Sequence, residues 1–255
     1  MKKYSLLVCM LFTAFNGFGE SAYTYNFKTD ILIGALSIDV FISPLLIPTA
    51  PPKQDMMCNK DEVNPFDQSL MFPYHKTLDI IGDIGVYGLA VLPGLSLIGN
   101  ITNLKALATY GLMYAEAFLL TFGTLEIVKI AAKRNRPYTY FDGIPAGKED
   151  DYYKSFASRH TAVGFMSAGF LTSTFFTEYP DSPWKIPVAA VSYVLAAGIS
   201  ASRIASGNHF LTDVLAGAAI GSVYGYLIPR LHLRKKASAL GFAPTLKGFV
   251  ISYRF

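Results

Sequence analysis

Residues 185–228 read KIPVAAVSYVLAAGISASRIASGNHFLTDVLAGAAIGSVYGYLI. Two apolar runs, about 185–202 and 210–228, flank a short joint, and Ser202, Arg203, His209 and Asp213 fall at or beside it. Each run is long enough for a helix and close to the roughly 20 residues that cross a bilayer. So short a joint makes the two helices antiparallel neighbours. Gly and Ala recur in both runs (AAGISAS, AGAAIGS), which suits close helix–helix contact.

Four more apolar segments lie upstream. They cover about 30–50, stopped by Pro51-Pro52; 77–99, with Asp79 and Asp83 near its start and Pro93 inside; 104–132; and 160–177. Hydrophobic residues make up 52% of the 255-residue chain and charged residues only 16%, against about 25% charged in soluble domains. That balance excludes general disorder. Two cysteines exclude a disulfide-dense scaffold and the usual Cys-rich zinc or iron–sulfur sites. The expected fold is all-α: an antiparallel bundle of about six helices, membrane-embedded, with its active site at one end. Asp39, Glu116 and Glu126 interrupt the segments. Acids within a membrane are costly and are expected to face a bundle interior or a polar cavity. A soluble, very apolar bundle is the alternative.

The flanks divide the rest. Residues 1–22, a short basic start followed by an apolar run and small residues, read as a signal peptide or an uncleaved anchor. Cleavage would leave Cys58 as a single thiol. Residues 23–76 hold the first apolar segment and a polar loop, 51–76, that includes Asp67. Residues 77–230 form the main domain, and 231–255 a basic tail. The last seven residues, FVISYRF, alternate like a strand and resemble the terminal strand of bacterial outer-membrane barrels, although one strand closes no barrel.

Three clusters carry chemistry: Lys129 and, after six intervening residues, Arg136-Pro137; Ser158-Arg159-His160-Thr161; and Ser202-Arg203, His209 and Asp213. Alternating helix direction brings all three to one end of the bundle. Two helix N-termini add positive potential and free N–H groups there. Two histidines, three cations and a carboxylate converging in this way suit a multiply charged oxyanion such as phosphate. His209 and Asp213 are four apart, a helical spacing that lets a carboxylate reach the imidazole and raise the basicity of its far nitrogen. The competing readings are a structural His–Asp pair, membrane-flanking basic residues, and an N-cap at Ser158.

These clusters resemble the signature of the type 2 phosphatidic acid phosphatase superfamily, which includes bacterial acid phosphatases and vanadium haloperoxidases. Its pattern is Lys-x6-Arg-Pro, Pro-Ser-Gly-His, then Ser-Arg-x5-His-x3-Asp. The first and third parts match in every fixed position. In the second, Ala157 stands for the proline and Arg159 for the glycine, while Ser158 and His160 are kept. The resemblance spans about residues 75–230. It implies a phosphohistidine on His209, hydrolysed by water in a second step, with His160 as acid and Asp213 as partner of His209. It implies Lys129, Arg136, Ser158 and Arg203 as phosphate ligands, with Arg159 supplying the glycine's N–H and a further cation. No cofactor and no metal are implied.

The partners expected are a lipid phosphate and the bilayer, not nucleic acid. A secreted acid phosphatase on soluble monoesters and a non-catalytic envelope protein with a decayed site are the alternatives. The basic tail should be cytoplasmic by the positive-inside tendency. A first segment that only dips into the membrane then leaves five spans and a site facing the periplasm from a bacterial inner membrane.

Overall fold

The computed structural model describes residues 21–47, 58–100, 103–142, 145–146, 148, 151–234, 240–245 and 248–253. Residues 1–20 of the expected leader, 51–57 of the polar loop and the terminal Arg254-Phe255 lie outside them. Among the described residues, six α-helices of eight residues or more occupy the six apolar segments: α1 Phe27–Ile42, α2 Lys76–Val91, α3 Leu104–Ala132, α4 Arg159–Glu178, α5 Lys185–Ala205 and α6 Leu211–Leu231.

Local chemistry sets their ends. His75, Asn103 and Ser158 cap α2, α3 and α4, each side chain accepting a backbone N–H of the first turn. Pro93 has no N–H to donate, and α2 passes there into a 3₁₀ stretch, Leu92–Asn100. The first segment stops earlier than its apolar run suggests, because Pro44 turns it into the 3₁₀ turn Ser43–Leu46. Lys133, in left-handed backbone conformation (φ 44°), ends α3.

α4 is the hub, packed against α2, α3, α5 and α6. Its Val163, Met166 and Phe170 join Met113, Ala117 and Leu120 of α3 and Ile228 of α6 in the largest buried cluster. The tightest seam is α4 on α6. Gly217, Gly221 and Gly225, four apart, lie against the carbonyl oxygens of Ser158, Ala162 and Met166, also four apart. A Cβ at Gly217 would stand 2.5 Å from the Ser158 oxygen, and those at Gly221 and Gly225 would overlap theirs.

Apolar side chains also point outward. Ile84, Tyr87 and Val91 on α2, Ile186 and Val194 on α5, and Leu215 and Val223 on α6 are exposed. The stretches Lys76–Ile98, Lys185–Ala205 and Leu211–Leu231 are long and apolar enough to cross a membrane. Such outer faces suit lipid contact and not water, so the chain is a membrane protein rather than a soluble bundle. Of the acids in the segments, Glu116 is buried with Asp30 against His232, whose Nε2 lies 3.2 and 3.3 Å from the two carboxylates. Glu126 pairs with Arg159. Asp39 departs from expectation and lies on an exposed face of α1, a helix outside the three apolar stretches.

The alternation near the C-terminus forms a strand, but in a hairpin. β1 (Leu240–Thr245) pairs antiparallel with β2 (Gly248–Tyr253), Leu240 opposite Tyr253. The C-terminal end of α6 is tied to the start of the described chain by Thr24 N–H donating to His232 O and Arg234 N–H donating to Ala22 O. The starts of α2, α4 and α6 and the ends of α3 and α5 meet at the opposite end of the bundle, where the three sequence clusters converge.

Candidate active site

The converging residues line a cavity of about 200 Å³. Lys129, Arg136, Arg159, His160, Arg203 and His209 all face it. Asp213 and Ser158 sit behind its wall, both fully buried.

His209 lies on the turn between α5 and α6. That turn needs Gly207 in left-handed conformation (φ +72°), and a Cβ there would come within 2.5 Å of the Phe72 oxygen. The imidazole is 2% exposed. Its Nδ1 lies 2.8 Å from the Ser155 carbonyl, which can only accept, so Nδ1 carries the proton and Nε2 the lone pair. Nε2 faces the cavity 3.3 Å from Arg136 Nη1. Burial, and then the charges of Arg136, Lys129 and Arg203, push the His209 pKa well below the usual 6.5. The ring is therefore neutral.

The spacing of His209 and Asp213 suggests a direct hydrogen bond, and here the geometry differs. Asp213 Oδ2 lies 3.7 Å from Nδ1. Asp213 is the third residue of α6, and its Oδ2 accepts from Phe210 N–H at 2.8 Å and from Ser155 Oγ at 2.5 Å. Helix capping has taken the oxygen that helical spacing aimed at the imidazole. The two remain neighbours, a neutral ring beside a carboxylate, with Ser155 bonded to both through different atoms.

The cations are held before any oxyanion arrives. Lys129 is 3% exposed, and its Nζ donates to the Lys154 and Ala157 carbonyls at 2.7 and 2.8 Å. Arg136 donates through Nη1 to Asn208 O and through Nε and Nη2 to Asp151. Arg203 Nη1 is 2.6 Å from Asp79 Oδ1 and 3.3 Å from Asp83 Oδ1. Its buried Nε, like that of Arg159, has no hydrogen-bond partner among the described residues. These N–H groups are donors an oxyanion would satisfy. Arg159 occupies the family's glycine position as the first residue of α4. Its guanidinium swings sideways to Glu126 and stacks on Phe122, 4.5 Å from the ring centre.

His160 Nε2 lies 2.7 Å from Asp83 Oδ1. Sequence reasoning noted Asp79 and Asp83 without assigning them, although a four-residue spacing at the start of a helix placed both on one face at the converging end. Lys148, Asp151, Asn208 and Ser155 gave no comparable signal, because each reaches the site from a loop. The arrangement can bind a tetrahedral oxyanion between Lys129, Arg136 and Arg203, with a neutral imidazole on one side and His160 on another. Among the described residues, no group of three His, Cys, Asp or Glu side chains is placed to hold a metal ion.

The chain is 33% identical over 88 residues to a lipid A 4'-phosphatase of Porphyromonas gingivalis, covering 34% of this chain and 33% of that protein. It is 38% identical over 74 residues to a lipid A 1-phosphatase of the same organism, covering 29% and 15%. It thus matches a third or less of the length of those relatives. Among solved structures, the crystal structure of Aquifex aeolicus LpxE aligns over 64% of this chain and 92% of its own, at 22% identity and a TM-score of 0.41. The profile of the PAP2 superfamily covers residues 108–237. That span is just over half of the chain and holds every residue of the three clusters, and on this ground the protein belongs to the PAP2 superfamily.

Proposed function

We propose that this protein is a lipid phosphatase that hydrolyses phosphate monoesters or diphosphates of membrane lipids, without a metal, through a phosphohistidine on His209. One observation carries the substrate class. An apolar groove of about 320 Å³, walled by Val86, Tyr87, Ala90, Phe118, Phe122 and Val163, ends at Arg159 and His160. Both residues also line the cationic cavity. A phosphate held by Lys129, Arg136 and Arg203 would thus leave its ester oxygen near His160 and its hydrocarbon in the groove.

In the reaction so read, His209 Nε2 forms a bond to phosphorus as the bond to the leaving oxygen breaks, and His160 gives that oxygen its proton. Burial and the charges of Arg203 and Arg136 hold the His160 pKa down to about 3, so in this reading the ring takes up its proton only with the negative phosphate in the site, and Asp83, 2.7 Å from Nε2, offsets the charge. Water then attacks phosphorus, His160 takes a proton from it, and phosphate departs with His209 restored. The built-in cations neutralise the charge that develops on the equatorial oxygens, the part a metal plays elsewhere.

The basic tail and the site sit at opposite ends of α6, a 21-residue helix about 30 Å long. A cytoplasmic tail would put the site on the periplasmic face of a bacterial inner membrane.

The test is phosphate release by detergent-purified protein from a panel of lipid phosphates and one soluble aryl phosphate. Release from lipids, unchanged in EDTA, is expected. Loss in EDTA that magnesium restores would overturn the metal-free step, and preference for the soluble ester would turn the reading to an acid phosphatase. Ala90→Trp, which fills the groove, is expected to lower kcat/KM on lipids about tenfold while leaving the aryl phosphate within about twofold. Equal losses on both would remove the groove from substrate binding.

A further inference from the structure

The polar loop before α2 places one carboxylate deep in the protein. Asp67 lies in the single helical turn Pro65–Gln68 and is fully buried. It belongs to no cluster and lies outside the span matched by the family. Yet its oxygens accept four hydrogen bonds. Oδ2 accepts from Arg134 Nη2 at 2.7 Å, Asn64 Nδ2 at 2.7 Å and Thr212 Oγ1 at 2.6 Å, and Oδ1 accepts from Thr212 N–H at 3.0 Å. Burial raises its pKa, but Arg134 and Thr212 outweigh that, and the carboxyl stays below the usual carboxylate range.

Arg134 carries the connection inward. Its Nη1 donates to Asp213 Oδ1 and to Thr212 Oγ1, both at 2.7 Å, and its guanidinium lies 4.0 Å over the Phe210 ring. Charges therefore alternate from Asp67 to Arg134 to Asp213, whose other oxygen lies beside His209. Both hydrogen-bonding ends of the guanidinium are engaged, which fixes its plane, and with it the Asp213 carboxylate. Without Asp67, Arg134 would keep one carboxylate partner and gain rotational freedom.

We propose that Asp67 is a positioning residue for His209, acting through Arg134 and Asp213, so that the loop before α2 is part of the catalytic apparatus. The inference rests on the reading of His209 as nucleophile. It assigns a role to a stretch whose sequence suggested none. Asp67 touches neither the phosphate ligands nor the cavity, so its effect should fall on turnover and not on binding.

The experiment compares Asp67→Asn, Arg134→Gln and the double variant, with turnover expressed per vanadate-binding site so that misfolded protein does not count. Asp67→Asn is expected to lower kcat about tenfold with KM within about twofold. In the Arg134→Gln background the same change should cost no more than about twofold, because the route is already cut. An unchanged kcat per site, or independent losses that multiply in the double variant, would overturn the proposal. Should Asp67→Asn fail to fold, Thr212→Val removes the hydroxyl shared by Asp67 and Arg134 and is expected to lower kcat in the same direction; unchanged turnover there would equally overturn it. His209→Ala separates the two levels. If it keeps activity, the nucleophile assignment fails; if it is inactive while Asp67→Asn turns over normally, only the positioning role fails.

Discussion

His209→Ala is expected to abolish phosphate release, by a factor on the order of 10⁴ to 10⁶ in kcat. The expectation follows from the state of the ring. Its Nδ1 is committed to the Ser155 carbonyl, so the lone pair at Nε2 faces the cavity. Burial and three neighbouring cations keep the ring neutral. Their sign matters for pH. A pKa held well below 6.5 means that His209 stays unprotonated at neutral pH, so any acid limb that its protonation causes in kcat/KM should fall at lower pH than a free imidazole would give. Acid-quenched protein after incubation with labelled substrate should retain phosphate in the parent chain and none in His209→Ala. Full activity of a folded His209→Ala protein would end the mechanism. Asp213→Asn is expected to keep the fold and lose most turnover, since the amide would face the Ser155 hydroxyl or Arg134 with a donor where each now finds an acceptor.

The fold was legible because hydropathy is local and the helices follow it. The run 104–132 is α3 to the residue, and 185–202 and 210–228 track α5 and α6 to within a few residues. The converging end followed from short joints and alternating direction. What escaped the sequence depends on contacts between distant segments. Helical spacing joins His209 to Asp213, but it does not reveal that capping of α6 occupies the nearer oxygen. Nor does it reveal that Asp83 pairs with His160, because 77 positions separate them. Nor does it reveal that Arg159, which faces the cavity, also pairs with Glu126, stacks on Phe122 and borders the apolar groove. Asp67 carried no signal at all, since nothing in a polar loop distinguishes the one carboxylate that becomes buried.

The second large effect is structural and acts through the same chemistry. Gly221→Ala is expected to destabilise the protein and to cut kcat, whereas Gly198→Ala should do neither. Both glycines lie inside helices, and in an exposed helix interior alanine is favoured over glycine by about 1 kcal/mol. A methyl group added at Gly198, on α5, would meet nothing within 4 Å, so that preference is felt there and stability is held or raised. At Gly221 the methyl would overlap the Ala162 oxygen, with the Ala162 carbon 2.8 Å and the Met166 nitrogen 2.9 Å away. These are backbone atoms of α4 and no rotamer relieves them, so the helices must separate, at a cost of about 1–3 kcal/mol or more. Separation is not confined to that contact. His160 precedes Ala162 on the same turn of α4, and His209 leads directly into α6, about three turns before Gly221. A displacement of about 1 Å between such groups is enough to lower a rate some 10²-fold. Thermal unfolding in detergent and lipid phosphatase assays on the two variants would read both consequences. Equal behaviour of Gly198→Ala and Gly221→Ala would mean that the α4–α6 seam yields to a methyl group and does not set the distance between the histidines.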